Sequence, residues 1–402
     1  MKNNKSDIIP QICKIKGGKP VYGTVKLSGD PFASIFNLAN ALFFDKETVI
    51  SNVSRCEIFF RFIKVLDTLG VVVKWHDEST LSIDGKQKVG QNLVNLFDGY
   101  DYLFAQVLIP VILYKNSECD VHQNLRDEVK FLRGFGVSVS SNYGILNLTL
   151  PLNTDYEIVR HLSLKGADPF LIASRLLLSK LFPNITVDYG LDDKRFDFIN
   201  KVESCEDQRI CVVNYNQYEF NLYANIAAFT NGDLVLENFD LSESLGFLLA
   251  LSELGSNYET LEGNLTIWRQ HKKFSNVLDW TSHSFNNVCH LLYSLSSFTQ
   301  ENVKVICNSD LRLEQYITDL NILGSRIGLT VQKDFSLISV KPSNSFSAIK
   351  TTFEDLDACG SILTSAIVFR GNSKISNFNI LSDVIPYLVE NLKSINIDIT
   401  SV

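Results

Sequence analysis

The sequence predicts an α/β protein with two domains of pseudo-threefold symmetry, each built from three βαβαββ modules. The first observation is a recurring segment in which an amphipathic helix precedes two runs of alternating apolar and polar residues. The segment is clearest over 62–84 and recurs over 128–150, 246–268 and 316–340, with weaker copies over 195–213 and 385–402. The second observation is a companion pattern before each copy: an apolar helix, a polar turn and a strand. Six copies of this pair of patterns predict six modules.

Glycine spacing is the third observation. In the four clearest copies the helix ends at a glycine, and these glycines are separated by 66, 119 and 69 residues; they are Gly70, Gly136, Gly255 and Gly324. The long middle interval holds a weak copy, so a module has about 60 to 70 residues, longer than an ordinary solenoid repeat. A helix that ends in the left-handed conformation favours a residue without a Cβ. In the weak copies Val202 and Ser394 stand at this position, and we expect a different cap there.

The elements at the start of the chain suggest where the domains divide. Residues 20–28 read as a strand, Gly29 to Pro31 as a turn, and 34–44 as an apolar helix. One change of domain is expected at this turn and another near 214–216. We therefore predict one domain from residues 1–28 plus 216–402, and a second from 29–215.

Composition excludes several classes of function. The chain has 402 residues, a net charge of −8 and no basic stripe, so nucleic acid is not expected as a partner. A small anionic ligand in a local positive cleft remains compatible with this charge. The longest apolar run, 107–114, is too short to cross a bilayer, and the first 18 residues lack the apolar core of a signal peptide. We expect a cytoplasmic protein that does not bind membranes.

The cysteines and glycines give no sign of a cofactor. None of the eight cysteines forms a CxxC pair and no histidines have metal-ligand spacing, so we expect reduced, buried thiols and no metal. No phosphate-binding loop or dinucleotide fingerprint is present, so no cofactor is expected.

Residues 23–53, with their strand, Ser28–Gly29 turn, apolar helix and Asn52–Val53 strand end, resemble the opening of the enolpyruvyl (carboxyvinyl) transferases. The UDP-N-acetylglucosamine 1-carboxyvinyltransferases are the more similar branch, and 215–255 and 355–377 carry further likeness. The resemblance implies an inside-out α/β barrel in each domain. It also implies transfer of the enolpyruvyl group of phosphoenolpyruvate to a hydroxyl in the cleft between domains.

Several positions that the resemblance marks for this chemistry have lost their charge. Phosphoenolpyruvate carries about three negative charges and needs several cations. The family's Lys-Asn reads Pro31–Phe32, its second-module Arg falls near Tyr102–Leu103, and its Asp-Leu-Arg ends at Asp357. The mobile loop with the catalytic cysteine is shortened, and Cys119 lies before it on an expected strand, so no acid role passes to Cys119. We predict that the ancestral phosphoenolpyruvate chemistry is lost.

The resemblance leaves a reduced set of candidate residues. For catalysis these are Glu219 and Asp279, although Asn287 competes with Asp279 for the position of the base. The candidate ligand-binding residues are Asp30, Arg126, Asn216, Asn287, Arg312, Asp355 and Asp357.

Each candidate also has a purely structural interpretation. Asp279 suits a turn, and Asp355 and Asp357 suit the start of a helix. Arg126 could form a surface pair with Asp127 or Glu128. Arg312 could pair similarly with Glu314 or Asp319.

Two functions follow from these observations. The first is a diverged enolpyruvyltransferase-like protein that binds a small molecule in the interdomain cleft, as a biosynthetic transferase with altered substrate or chemistry. The second is a catalytically inactive member, a pseudoenzyme, that acts as a binding protein and for which a protein partner is expected. Cations that converge on the cleft would favour the first, with Lys165, Arg269, Lys272 and Lys273 as candidates. A lining of Phe32, Phe36 and Tyr102 would favour the second or an apolar ligand.

Overall fold

The computed structural model describes most of the chain, including long continuous stretches of both halves. The described residues are 12–96, 99–151, 160–164, 169–188, 203–204, 208–269, 276–281, 288, 291–292, 295, 302–307, 330–334, 337–341, 348–353 and 356–401.

The chain divides into two compact units. Unit 1 contains Met1–Ser28 and Tyr215–Val402, and unit 2 contains Gly29–Asn214. The described helices of unit 2 are α1 (Pro31–Ala41), α2 (Glu57–Thr68), α3 (Gly99–Asn116), α4 (Arg126–Arg133) and α5 (Pro169–Leu181). Those of unit 1 are α6 (Gln217–Phe229), α7 (Leu241–Glu253), α8 (Leu356–Val368), α9 (Asn379–Ser382) and α10 (Leu388–Ser394).

The described strands form three sheets in each unit. In unit 2 they are β3 (Glu47–Ser51), β4 (Val73–Trp75), β5 (Leu81–Asp84), β6 (Asn92–Leu93), β7 (Glu118–His122), β8 (Ser138–Asn142), β9 (Ile145–Thr149), β10 (Arg160–Ser163), β11 (Ile185–Asp188), β12 (Glu203–Ser204) and β13 (Gln208–Val212). In unit 1 they are β1 (Ile12–Gly17), β2 (Tyr22–Lys26), β14 (Asp233–Glu237), β15 (Ser256–Leu261), β16 (Asn264–Arg269), β17 (Val277–Asp279), β18 (Val303–Ile306), β19 (Thr330–Asp334), β20 (Leu337–Lys341), β21 (Lys350–Thr352), β22 (Gly371–Ser376) and β23 (Asp398–Ser401).

Five of these sheets share one strand order, which is the structural form of the repeat. In β6-β7-β9-β8 and β17-β18-β20-β19 the first two strands are parallel, and the fourth strand of the module lies between the second and the third. The sheets β13-β3-β5-β4, β2-β14-β16-β15 and β21-β22-β1-β23 have the same arrangement. The sixth sheet shows the parallel pair β10-β11. The α/β fold built from repeated modules is confirmed.

In three of the sheets a strand comes from a distant part of the sequence. Strand β2 leads the sheet of β14, β13 leads the sheet of β3, and β1 occupies the fourth position beside β22 and β23. The beginning of the chain therefore completes two modules of unit 1. This pairing places the passages of the chain between the units at residues 28–29 and 214–215.

The helix ends agree with the glycine spacing where they are described. Gly70, Gly136 and Gly255 have φ values of 78°, 84° and 88°, and Gly324 lies outside the described residues. Helix α10 ends at Ser394 without glycine, and Asn396 adopts the left-handed conformation instead, with φ of 71°. Val202 lies outside the described residues. The first helix begins at Pro31 rather than at 34, because Asp30 caps it.

Helices form the centre of each unit. In unit 2, α3 is buried on all sides over its middle, which requires packing layers all around it. It packs on α1, α2 and α5, with Phe62 and Phe104 edge to face at 5.3 Å. In unit 1, α6 is almost wholly buried and packs on α7 and α8. None of the described helices is both long and apolar enough to cross a membrane.

Candidate functional site

Glu219, a candidate catalytic residue, binds Ser28, the last residue of unit 1 before the first passage of the chain. The Glu219 Oε2 atom accepts hydrogen bonds from the backbone N–H of Ser28 at 2.9 Å and from its hydroxyl at 2.6 Å. The carbonyl of Ser28 in turn accepts from the backbone N–H of Asn216 at 2.7 Å. Ser28 is thus bound by the N-terminal end of α6.

The environment of Glu219 favours its neutral form. The side chain is completely buried, and burial raises its pKa to about 7 against the opposing effect of the Ser28 hydrogen bonds. Its Oε1 atom has no hydrogen-bond partner among the described residues. Tyr223 lies one turn further along α6, and burial, then the neighbouring Glu219, raises its pKa well above the usual value. The carboxyl is suited to hold a proton near neutral pH.

Asn216, a candidate ligand-binding residue, is the N-cap of α6. Its Oδ1 accepts from the backbone N–H groups of Tyr218 and Glu219 at 3.1 and 3.2 Å. Its Nδ2 donates to the carbonyl of Val384 at 2.9 Å. These contacts use both ends of a buried amide, and they give Asn216 a structural role in unit 1.

In unit 2 Asp30 performs the corresponding task for α1. Its Oδ1 accepts from the backbone N–H of Ala33 at 2.8 Å, and Pro31 occupies the first helical position. The preceding glycine is required by close approach, because a Cβ on Gly29 would lie 1.6 Å from the carbonyl oxygen of Asn52. A carboxylate at a helix N-terminus is stabilised by the exposed N–H groups.

Asp279, the other catalytic candidate, ends β17. Its Oδ1 accepts from the backbone N–H of Thr281 at 3.1 Å and from the hydroxyl of Thr281 at 2.8 Å. The residue is exposed, so it has the contacts of a turn residue together with access to solvent.

Arg126 is exposed at the start of α4. Among the described residues its one contact is a hydrogen bond from Nη2 to Oε1 of Gln123 at 3.5 Å. The expected pair with Glu128 does not form. Glu128 is buried and receives both terminal nitrogens of Arg175, with Nη2 to Oε2 at 2.8 Å and Nη1 to Oε1 closer still. The guanidinium of Arg175 also lies 3.8 Å from the ring centre of Phe131. This arginine is therefore fully engaged within unit 2.

The structure also describes the positions where the expected cations are missing. Pro31 is buried as the first residue of α1, and Phe32 packs edge to face on Phe170 at 5.4 Å. Phe36 is completely buried in the core of unit 2. Tyr102 is partly buried, and burial, then the carboxylates of Glu128 and Asp127, raises its pKa.

A tyrosine of α6, Tyr218, forms hydrogen bonds with the backbone at the start of α8. The hydroxyl of Tyr218 donates to the carbonyl of Leu356 and accepts from the backbone N–H of Gly360 at 3.0 Å. Both backbone groups belong to the first turn of α8. Asp357 lies in this turn, where the resemblance expects an arginine. Asn287, Arg312 and Asp355 lie outside the described residues.

The candidate cation substitutes are only partly described. Arg269 donates from Nη1 to the carbonyl of Ala228 at 3.2 Å, and burial lowers its pKa to about 10. The guanidinium of Arg269 is thus bound to the backbone of its own unit, unit 1. Lys165, Lys272 and Lys273 lie outside the described residues.

Sequence reasoning missed the Glu219–Ser28, Glu128–Arg175 and Tyr218–Leu356 contacts. A signal existed for Arg175, because a single charged residue inside an apolar helix segment usually needs a buried partner. Its partner is 47 residues away, and no local pattern indicates it. In the described part of the chain no three His, Cys, Asp or Glu side chains are grouped to hold a metal ion.

Comparison with known proteins gives distant but nearly full-length matches. The UDP-N-acetylglucosamine 1-carboxyvinyltransferase of Thermotoga maritima is 21% identical over 393 residues, covering 90% of this chain and 92% of that protein. The enzyme of the same name from Thermotoga petrophila is 21% identical over 395 residues with the same coverage. No protein-family model matches the chain.

Solved structures share the fold. The enolpyruvyl transferase NikO from Streptomyces tendae matches with a TM-score of 0.72 and 13% identity, over 97% of this chain and 98% of that one. The EPSP synthase of Acinetobacter baumannii matches with a TM-score of 0.68 and 13% identity, over 97% and 99%. Likeness over almost the whole length of both chains supports the six-module architecture.

Proposed function

We propose that the chain is a diverged member of the enolpyruvyl transferase family, which its distant relatives and structural neighbours support, and that its ligand differs from phosphoenolpyruvate with a sugar nucleotide. The ligand is a less anionic small molecule, and the reaction is a biosynthetic transfer with altered substrate or chemistry. The interdomain location that the resemblance implies for this ligand is part of the proposal.

The replacement of cations carries the proposal. Where the resemblance expects lysine or arginine, the chain has Pro31 and the Tyr102–Leu103 pair, and Asp357 reverses the charge at a third position. Loss of one charge-assisted contact that leaves a charge unpaired costs about 2–5 kcal/mol. Two such losses weaken binding by roughly three to seven orders of magnitude. A trianionic donor would bind poorly to such a site.

The described arginines support this interpretation. Arg175 is buried, and its charge acts on Tyr102. That charge is neutralised by Glu128, and the guanidinium lies over the ring of Phe131. Arg269 is engaged with a backbone carbonyl of its own unit. Each of these two guanidinium groups is held by contacts within its own unit.

The alternative is a binding protein without catalysis, and the contacts of the catalytic candidates favour it. Glu219 is completely buried behind Ser28, and Asp279 is engaged by Thr281 in a turn. A general base must lie within hydrogen-bonding reach of the proton it removes, and burial keeps substrate away from Glu219. A protein that kept the scaffold and recruited a partner would retain these structural contacts.

The test combines an assay and a screen on the full chain. Phosphoenolpyruvate and UDP-N-acetylglucosamine are added and phosphate release is measured, with none expected; turnover above the rate without protein would refute the proposal. A thermal-shift screen of neutral, singly and multiply charged metabolites that carry no phosphate group should give its largest shifts with neutral or singly charged compounds.

A pair of variants relates a ligand from the screen to the predicted site. Arg126→Ala should weaken binding of a singly charged ligand, and Arg133→Ala, at the exposed end of the same helix, should not. Binding with turnover of that ligand supports the transferase. Binding without turnover, together with a protein retained by the immobilised chain and released by that ligand, supports the pseudoenzyme.

A further inference from the structure

Unit 2 contains a second group of cations, at the end of α1 away from the chain passages. Helix α1 begins beside the passage at Pro31 and ends at Ala41, about 16 Å away at 1.5 Å per residue. Phe44 follows this end and is partly buried. Two cations contact its ring: the guanidinium carbon of Arg209 lies 3.4 Å from the ring centre, and Lys180 Nζ lies 4.9 Å from it.

These two cations have no anionic partner among the described residues. In the described part of the chain no carboxylate lies within ion-pairing distance of Arg209 or Lys180, and Glu206 and Asp207 lie outside it. Asp45, which follows Phe44 in the sequence, is exposed and faces Lys115 at 4.0 Å. Glu47 accepts from the hydroxyl of Ser82 at 2.9 Å. It points to the opposite face of β3 from Thr48, because successive side chains alternate along a strand.

The stacking geometry leaves the donors of Arg209 available. A guanidinium that stacks on a ring uses its π face, and its N–H groups point outward in the plane. The Nη1 atom of Arg209 is buried and has no hydrogen-bond partner among the described residues. Unsatisfied buried donors are uncommon and costly, so this one calls for an explanation.

A second buried polar atom without a partner adjoins Arg209. Thr48 of β3 is the register neighbour of Arg209 of β13, so the two side chains lie side by side on one face of the sheet. Thr48 is only 3% exposed, and its Oγ1 has no partner in the described part of the chain. On the same face, Cys211 and Ile50 are buried and apolar, and they offer no acceptor charge.

The pKa values agree with an uncompensated pair. Desolvation lowers the pKa of Arg209 below its usual value. Desolvation and then repulsion from Arg209 lower the pKa of Lys180. Lys180 lies in the last turn of α5, where the carbonyl end of a helix stabilises a cation.

We propose that Arg209, Lys180 and Thr48 form a binding site for the oxyanion of a phosphate group, either free or carried by a small phosphate ester. The edge of the stacked guanidinium donates to two oxygens, the Thr48 hydroxyl donates to a third, and Lys180 supplies charge from the exposed side. This site is separate from the candidate residues at the chain passages, since Asp30 lies at the other end of α1.

The test uses thermal unfolding of the full chain in sodium phosphate, in glycerol 3-phosphate and in sodium chloride at equal ionic strength. Phosphate or its ester should raise the midpoint saturably, and chloride should not. Arg209→Met should raise the apparent dissociation constant at least about tenfold, since it removes a charge-assisted contact. The control is Arg61→Met: Arg61 also lies over a ring, Tyr100, but has a carboxylate partner, Asp101, at 3.8 Å.

Each outcome decides the proposal. Tighter binding of the ester identifies a carried phosphate group, and equal or tighter binding of inorganic phosphate identifies the free ion. Equal midpoints in phosphate, ester and chloride, or equal losses in the two arginine variants, would overturn the site. If Arg209→Met does not fold, Thr48→Val and Lys180→Met decide, with an expected loss of about threefold to tenfold each. Unchanged affinity in both would also overturn it.

Discussion

Two buried carboxylates, one in each unit, are stabilised by different partners. Glu128 of unit 2 receives two N–H groups from Arg175, so its charge is compensated by a guanidinium. Among the described residues, Glu219 of unit 1 receives its donors from Ser28 alone, and burial raises its pKa to about 7. A buried carboxylate with a cation depends on that cation, whereas one without a cation depends on pH. This contrast predicts that loss of Arg175 destabilises unit 2 and that a rise in pH destabilises unit 1.

The largest effect is expected on removing the cation from the first carboxylate. Arg175→Met leaves Glu128 buried without compensation and should lower the free energy of unfolding of unit 2 by about 3–5 kcal/mol. Urea unfolding followed by a probe in unit 2 measures this change. Arg61→Met is the matched control, because its pair with Asp101 is exposed and should be worth less than about 1 kcal/mol.

The double variant Arg175→Met with Glu128→Leu sharpens the comparison. Replacing both partners by apolar side chains should recover most of the lost stability, since no charge is then left buried. Equal stabilities of Arg175→Met and Arg61→Met would contradict the view that the pair is essential to unit 2.

The second carboxylate should show its effect through pH. The folded pKa of Glu219, about 7, lies above the ordinary value of 4.5. The associated stability is therefore fully present below about pH 4.5 and is lost as pH rises through 7. The difference corresponds to about 3 kcal/mol between pH 4.5 and pH 8.5. Glu219→Gln should remove this part of the pH dependence, as seen by urea unfolding across that range.

A pH profile of Glu219→Gln that is parallel to that of the natural chain would show that another group is responsible. Tyr223 does not compete in this range, because its pKa is raised above its usual value near 10. Glu390 is the further charged group that acts on Tyr223, so Glu390→Gln serves as the control that should leave the profile unchanged.

The hydroxyl that holds Glu219 permits a smaller and more specific test. Ser28→Ala removes one of the two hydrogen bonds that lower the pKa of Glu219, so the pKa should rise further. The stability loss should be about 1–2 kcal/mol above pH 8, where the ionised carboxylate most needs the donor, and less at pH 5. Equal losses at both pH values would mean that the hydroxyl does not discriminate between the two forms of Glu219.

These contacts also mark the limit of what the sequence could predict. The modules were recognisable because helix period, strand alternation and terminal glycines are local, and Gly70, Gly136 and Gly255 adopt the expected conformation. The spacing of Asn216 and Glu219 is that of a capping box. The structure instead directs Glu219 to Ser28, 191 residues away, and the Asn216 N–H to the Ser28 carbonyl.

Local pattern also could not tell ligand-binding polar residues from capping ones. Asp30 and Asn216 precede apolar helices, and both uses require a polar side chain at that place. Contacts decide between them, as the bonds from Asn216 to Tyr218 and Val384 illustrate. The Glu128–Arg175 pair could be anticipated only in part. Arg175 is a charged residue in an apolar helix segment and needs a buried partner, but no local pattern identifies Glu128 as that partner.

A third buried carboxylate, Asp30, caps the N-terminus of a helix, and it should give the smallest effect. Asparagine caps helices about as well as aspartate, so Asp30→Asn should change the free energy of unfolding by only a few tenths of a kcal/mol. Asp30→Ala should cost about 1 kcal/mol, because the hydrogen bond to the Ala33 N–H is lost. If Asp30 also binds the ligand of this protein through its charge, Asp30→Asn will weaken ligand binding measured by calorimetry while leaving the urea midpoint in place. Unchanged affinity would instead assign Asp30 to the helix cap, and the N-terminus of α1 would then be a structural feature rather than part of the ligand site.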